Sequence, residues 1–352
     1  MALSKITNAS VADTAVHGRR NHIINGSQQI WQRATSVSAI AAGAYQAVDR
    51  WRYWAGVQAM STTRTAVTAG DATVGQFDYF NKMVVTGGSG ASGDYACIST
   101  HIEGLNALNG QTVTVSFYGK ASAALKVAVE ITQQFGTSGS ARVYVTPKSV
   151  TLGTGWGRHE VTFDVPSISG KTVGSGSNTE VVLWFSGGAS FASRTDNIGY
   201  QTGTFDITGL QLEVGDTATP FEHRSYGDEL QLCRRYFWAM VAKGEATGGA
   251  GNTNQKVMGS GYYLSTNQVE LPLIFPVEMR TAPTLSSSSG TNHFFIEAAG
   301  GNDGFDGWSQ FASKKQSALL YRSNVIVSGT GGQSGRIIAA SSSAYVYWSA
   351  EL

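Results

Sequence analysis

FDITGLQLEVGDTATPFEHRSYGDELQLCRRYF, residues 205–237, decides how this chain is divided. Phe205 and Ile207 share one parity of a period-two pattern, whereas Leu210, Leu212 and Val214 take the other. A one-residue change of face at Gly209 is the signature of a β-bulge, where one strand carries an extra residue. Thr219-Pro220 is expected to stop the strand, because proline has no N–H to give to a ladder. Beyond it Tyr226, Leu230, Cys233 and Phe237 recur at helical spacing. Ser225 with Asp228 resembles a capping box in which Asp replaces the usual Glu. The stretch therefore reads as the last strand of one domain, a corner, and a short helix that opens a second.

Composition agrees with an all-β chain. Of 352 residues only 14% are charged, while Gly alone contributes 43. Such a chain suits short strands joined by tight turns, and it lacks the charged residues that cover exposed helix faces. A hydrophobic share of 41% is enough to build cores, which argues against disorder. The net charge of +1 offers no basic stripe for nucleic acid and no polybasic membrane patch. Membrane insertion is not expected, since no run approaches the ~20 apolar residues of a span. Cys97 and Cys233 fall in different domains and are read as reduced, buried thiols. The N-terminus lacks an apolar signal core, so synthesis and folding in a cytoplasm are expected.

Residues 1 to about 20 show no sustained periodicity and read as an extended arm that needs a partner to become ordered. From residue 21 the pattern turns to strands. Val113, Val115 and Phe117 alternate, as do Val127, Val129 and Ile131, and Val161, Phe163 and Val165. Val181 to Phe185 is a continuous apolar run, as expected of a strand covered on both faces. Further strands are expected at Val48–Trp54 and Tyr95–Ile102. With Gly/Ser/Thr turns between them, these predict a β-sandwich or jelly roll over residues 21–225. Residues 226–352 read as the short helix followed by a second β-sandwich domain. Its expected strands are Gly261–Leu264, Val269–Phe275, His293–Glu297, Ala318–Arg322, Asn324–Val327, Arg336–Ala340 and Ala344–Ser349.

No catalytic motif stands out. Gly170-Lys171-Thr172 lacks the upstream glycine of a phosphate loop. The six histidines are scattered, and none pairs at metal-ligand spacing. The chain has 24 acidic residues, so chance carboxylate pairs carry no signal for glycoside hydrolysis. Asp303 and Asp306, in the Gly-rich stretch 302–308, read either as calcium ligands or as an Asx-rich turn beside an exposed tryptophan. Aromatic rings are the remaining candidates. Trp54, Tyr79, Tyr200 and Trp308 lie in or beside polar, Gly-rich segments, where a ring can stack on the apolar C–H face of a sugar or pack in a core. Trp51, Trp156 and Trp184 sit within strand patterns and read as core fillers.

Three segments together resemble a known family. Ile24-Asn25-Gly26 through Trp31-Gln32-Arg33, with Asp49-Arg50-Trp51, looks like the opening of the jelly-roll module of bacteriophage tail fibres and related receptor-binding proteins. Trp156–Pro166, Phe205–Glu213, Ala218–Glu222 and Tyr226–Tyr236 match its closing pattern. Phe275–Leu285 and Ala350-Glu351-Leu352 resemble the C-terminal domains of such fibres, and MALSKI resembles their virion-attaching start. The module is similar to carbohydrate-binding modules. The resemblance implies a non-enzymatic virion structural protein, a homotrimer, attached to other tail or capsid proteins through residues 1–20 and binding a host-surface glycan. It also implies a structural calcium with Asp206 as one ligand, although the acidic residue expected after the Asn25-Gly26 turn is replaced by Gln28-Gln29. Two other readings stand beside it: an enzyme, a tail-associated glycan depolymerase, and, with the same fold, a capsid-bound head fibre or decoration protein.

Overall fold

The structure, a computed structural model, describes residues 19–246, 253–299, 301–323 and 327–352. The expected arm lies outside the described residues apart from Arg19 and Arg20. The strand expected at 324–327 also lies outside them, apart from Val327. The described chain is nearly all β. It divides into two compact units: residues up to Gln29 with 35–225 and Leu352, and residues 226–351 with Ile30–Ala34.

The first unit is a β-sandwich of two antiparallel sheets. One sheet runs β1 (Ser36–Val37), β3 (Gln58–Ala66), β4 (Tyr79–Gly87), β12 (Gly203–Val214), β6 (Thr112–Ala121), β10 (Gly157–Asp164). The other runs β2 (Trp51–Ala55), β5 (Tyr95–Glu103), β11 (Asn178–Gly187), β7 (Leu125–Gln134), β8 (Val143–Tyr144), with β9 (Lys148–Leu152) also paired to β7. The period-two residues face inward as the alternation predicts. Val113, Val115 and Phe117 of β6 and Val127, Val129 and Ile131 of β7 are fully buried. Phe185 and Phe205, one from each sheet, meet with ring centroids 4.9 Å apart. Each such ring contributes on the order of 2–3 kcal/mol by leaving water. β11 is buried along its whole length, on both faces.

The bulge at Gly209 is present. The β12–β6 register slips between Thr208 and Gln211, and Gly209 has φ +61°. The segment that follows the arm fills the irregularity. Asn21 Nδ2 donates to the Leu210 carbonyl at 3.1 Å, and Asn21 Oδ1 accepts from Leu212 N–H at 3.1 Å. Gly26 passes so close that a Cβ there would lie 2.0 Å from the Leu210 carbonyl oxygen. β12 ends at Val214, earlier than the proline predicts. Thr219 instead folds back on the strand, its N–H and hydroxyl donating to Glu213 at 2.9 and 2.6 Å.

Titrating groups sit in this region, among them His22 and Glu222. Burial lowers the His22 pKa, and Arg224 lowers it further. Burial pushes the Glu222 carboxyl up. The N–H groups of Asn21 and Arg20, together with Arg224, outweigh that and hold it below its usual range. Both folded-state values are depressed, so both contributions are present at neutral pH and are lost on acidification. Stability is expected to decline below pH 6.5 through His22 and again below 4.5 through Glu222. Glu222→Gln should flatten the lower part of a urea-midpoint profile against pH. An unchanged slope there would remove Glu222 from the account.

The second unit also has two sheets. The smaller runs β13 (Phe237–Val241), β22 (Val346–Ser349), β16 (Thr284–Ser287). The larger runs β18 (Gly301–Phe305), β17 (Phe294–Ala298), β21 (Ser334–Ala339), β14 (Lys256–Ser265), β15 (Gln268–Ile274), β20 (Ser317–Ser323), β19 (Ser309–Ser313). Their shared core includes Met279, Phe294, Phe305 and Trp348, with Trp238 stacked on Trp348 at 5.2 Å. Ile30–Ala34 belongs to this unit: Gln32 Nε2 donates to the Phe237 carbonyl at 2.9 Å, and Arg33 pairs with Glu351 at 3.1 Å.

The helix is α1 (Tyr226–Arg234). Its buried residues are Glu229 and Cys233, and Tyr226 is exposed. Phe237 is buried, but as the first residue of β13. The predicted helical face therefore holds only at its centre.

Candidate functional site

The second sheet of the first unit turns Val181, Leu183 and Phe185 into the sandwich. Strand alternation must then send Glu180, Val182 and Trp184 to the opposite face. Register lines up their neighbours. Trp184 of β11 stands opposite Cys97 of β5 and Ala128 of β7, and Cys97 stands opposite Trp54 of β2. Glu180 stands opposite His101 and Thr132. The helical turn Ala189–Arg194 supplies Phe191 and Arg194, and Arg142 comes from the chain entering β8. Trp54, Cys97, His101, Arg142, Glu180, Val182, Trp184, Phe191 and Arg194, with Arg52, Tyr95 and Gln134, line a cleft of about 260 Å³.

The floor is apolar and aromatic. Trp184 is 2% exposed, and Phe191 packs on both Tyr95 and Trp184, at 4.8 and 5.5 Å between centroids. Trp54 stands at the side under Arg52, whose guanidinium carbon is 4.2 Å from its ring centroid. Burial pushes the Cys97 thiol well above its ordinary value, so it is an inert part of the floor.

The polar groups are arranged in two sets. Glu130, fully buried, accepts from Arg194 Nε and Nη2 at 2.9 and 2.8 Å and from Trp184 Nε1 at 3.0 Å. Burial raises the Glu130 pKa, and these donors oppose the rise. In the second set, Glu180 Oε2 accepts from Gln134 Nε2 at 2.7 Å and Thr132 Oγ1 at 3.3 Å. Glu180 Oε1 lies 3.7 Å from His101 Nε2. Burial lowers the His101 pKa, with Glu180 opposing, so the ring is neutral at pH 7.

Of the aromatic candidates only Trp54 lines this cleft. Tyr79 opens β4 on the other sheet, beneath Arg64 at 4.5 Å. Tyr200 lies before β12 and donates its hydroxyl to the Gly87 carbonyl at 2.9 Å. Trp308 corrects the picture of an exposed ring: it is 6% exposed and packs on Phe305 and Phe294 in the core of the second unit.

The aspartates do not converge either. Asp206 is flanked across the ladder by Lys82 and Lys120, with the Lys120 ammonium 3.6 Å away, so protein cations stand where a metal ion was expected. Asp303 is in β18, a strand and not a turn, and accepts from Tyr263 Oη at 2.9 Å and Ser328 N–H at 2.6 Å. Asp306 follows that strand, its carbonyl accepting from Gly290 N–H at 3.1 Å. Among the described residues no three His, Cys, Asp or Glu side chains gather as a metal-holding group.

Sequence reading missed Arg52, Tyr95, His101, Arg142, Glu180, Phe191 and Arg194. One signal was available: the second parity of the strands, Arg52/Trp54, Tyr95/Cys97 and Glu180/Val182/Trp184, mixes aromatic with ionisable residues.

No protein-family model matches the chain, and no curated protein matches it. Solved structures do resemble part of it. The enzymatically active domain of tailspike protein 4 from bacteriophage CBA120 is 12% identical over 56% of this chain, with a TM-score of 0.32. The match spans 22% of the tailspike chain. A family 11 carbohydrate-binding module from Clostridium thermocellum, in complex with a β-1,3-1,4-mixed-linked tetrasaccharide, is 14% identical over 51% of this chain and 96% of its own, with a TM-score of 0.31.

Proposed function

We propose that the protein is a virion fibre subunit, assembled as a homotrimer, that adsorbs to a host-surface glycan held in the cleft of the first unit. The observation that carries the glycan reading is the cleft itself. The sheet offers the rings of Trp54 and Tyr95, and the turn beside it that of Phe191, next to Arg, Glu, His and Gln side chains, the pairing that sugar rings require of a site. The virion part is supported by the sequence pattern at residues 24–33, 156–166 and 205–236. Adsorption without bond cleavage is supported by Glu130, whose carboxylate is committed to Arg194 and Trp184. Repetition in a trimer multiplies a weak single-site affinity by ~10²–10⁴.

The test is a glycan array probed with the full chain and with Trp54→Ala. The parent is expected to bind a subset of glycans, and the variant about tenfold more weakly, equivalent to ~1.4 kcal/mol. The same preparation should have three times the 37.2 kDa chain mass. An array on which parent and variant bind alike would remove the cleft from the account. A second reading, a glycan depolymerase, is favoured by the carboxylate of Glu180 beside the imidazole of His101 in the cleft lining. It requires shortened products after incubation with polysaccharide.

A further inference from the structure

The charges around the cleft are unequal in what they already hold. Arg194 spends two donors on Glu130. Arg52 spends only Nε, on the Gly43 carbonyl at 2.7 Å, and lies flat on Trp54. Its other guanidinium nitrogens have no polar partner among the described residues. Arg142 approaches Glu180 at 3.8 Å, beyond hydrogen-bond reach, with its side chain 38% exposed. Two guanidinium groups with available donors thus border one cleft, each with the planar fork that matches a carboxylate.

The opposite requirement sits at Glu180 and His101. His101 Nδ1 faces Asn178 Oδ1 at 2.9 Å, which assigns its proton to Nδ1 and leaves Nε2 an acceptor. His101 is 5% exposed, and its Nε2 has no hydrogen-bond partner among the described residues. Two acceptors, Nε2 and Glu180 Oε1, therefore stand 3.7 Å apart, and among the described residues Nε2 has no donor. A buried acceptor left unpaired is costly, so this pair is built to receive a hydroxyl hydrogen.

We infer that the cleft selects an acidic saccharide: Arg52 and Arg142 hold the carboxylate of the sugar, and His101 with Glu180 receives a hydroxyl from the same or the next ring. A neutral sugar supplies the hydroxyl but leaves the Arg52 guanidinium without an anion and Arg142 with only the distant Glu180 carboxylate, at 3.8 Å. The inference rests on the cleft being a glycan site.

The experiment uses the full chain and a panel of galacturonate, glucuronate and sialic acid oligosaccharides, each beside its methyl ester, together with sulfated sugars. At least one acid is expected to bind about tenfold more tightly than its ester, with a preference that shrinks as salt rises. Arg52→Gln and Arg142→Gln should each erase most of that preference while leaving weak binding of the ester. The acid–ester comparison needs no variant, so it stands even if a substitution impairs folding. Equal binding of acid and ester overturns the inference and leaves the glycan reading intact. Preference for sulfated over carboxylated sugars overturns the carboxylate assignment. Failure of every sugar, acid, ester or sulfated, overturns the inference and the glycan reading together.

Discussion

Replacing Glu130 with alanine is expected to destabilise the first unit by about 3 kcal/mol, among the largest losses available from a single polar side chain here. The carboxylate is fully buried, and three donors point at it. Removing it strands the Trp184 indole N–H and leaves the Arg194 guanidinium, 28% exposed, without its counter-ion. Partial exposure of the arginine keeps the figure at the lower end of the range for broken buried pairs. Glu130→Gln preserves an acceptor but not the charge, so it should lose roughly half as much. Because Arg194 also lies over Trp184, at 4.9 Å from its ring, the same change should loosen the cleft floor. Urea denaturation followed by tryptophan fluorescence measures both. A Glu130→Ala midpoint within 0.5 kcal/mol of the parent, by a limit of about the size of ordinary surface effects, would mean that the pair is ornamental.

Gly209→Ala is expected to cost about 3 kcal/mol by a different route. The residue sits at φ +61°, where an L side chain is strained by ~1–2 kcal/mol. Its Cβ would also lie 2.5 Å from Phe77 Cζ and 2.9 Å from Tyr118 Cδ2. Those rings cannot retreat cheaply, since Phe77 is wedged edge-on against Tyr118 and Phe221, at 5.4 and 5.1 Å. Overpacking of this kind adds ~1–3 kcal/mol. Adding Phe77→Leu to Gly209→Ala should return the steric part but not the backbone part. If the double variant is no more stable than Gly209→Ala alone, the collision with Phe77 is not the cause.

The parts of the fold legible in the sequence were those where local pattern and long-range packing agree. The parity change in Phe205–Val214 located the bulge, and the apolar run Val181–Phe185 announced a strand buried on both faces. β3 and β4 were not legible, because their inward positions include Thr62 and Asn81. These bury polar groups by bonding one another and Tyr53, with Tyr53 Oη to Thr62 Oγ1 at 3.3 Å and Asn81 Nδ2 to Tyr53 Oη at 3.2 Å. Such a network erases the alternation of apolar and polar residues that marks a strand. Gly301–Phe305 reads as a turn by composition, but it is an edge strand, where glycine and aspartate are tolerated. Tyr226 has helical spacing but is exposed. The cleft was the least legible feature. Its walls come from residues 52 to 194, and only strand order puts them side by side.

Strand order also governs when this protein can exist at all. β11 lies between β5 and β7, and β12 lies between β4 and β6, so the two last long strands of the first unit occupy the middle of their sheets. A nascent chain leaving the ribosome presents the flanking strands first and the central ones last. Until Gly187 has emerged, β5 and β7 have no common partner, and until Val214 has emerged, β4 and β6 have none, so each sheet closes only on its late central strand. The first unit therefore cannot be built by accretion from its N-terminal half. Its non-local pairings must form together and late, with open strand edges exposed in the interval. For such a chain the vulnerable moment is its synthesis, and a truncation before β12 splits the first sheet into β1-β3-β4 and β6-β10, with the facing edges of β4 and β6 open.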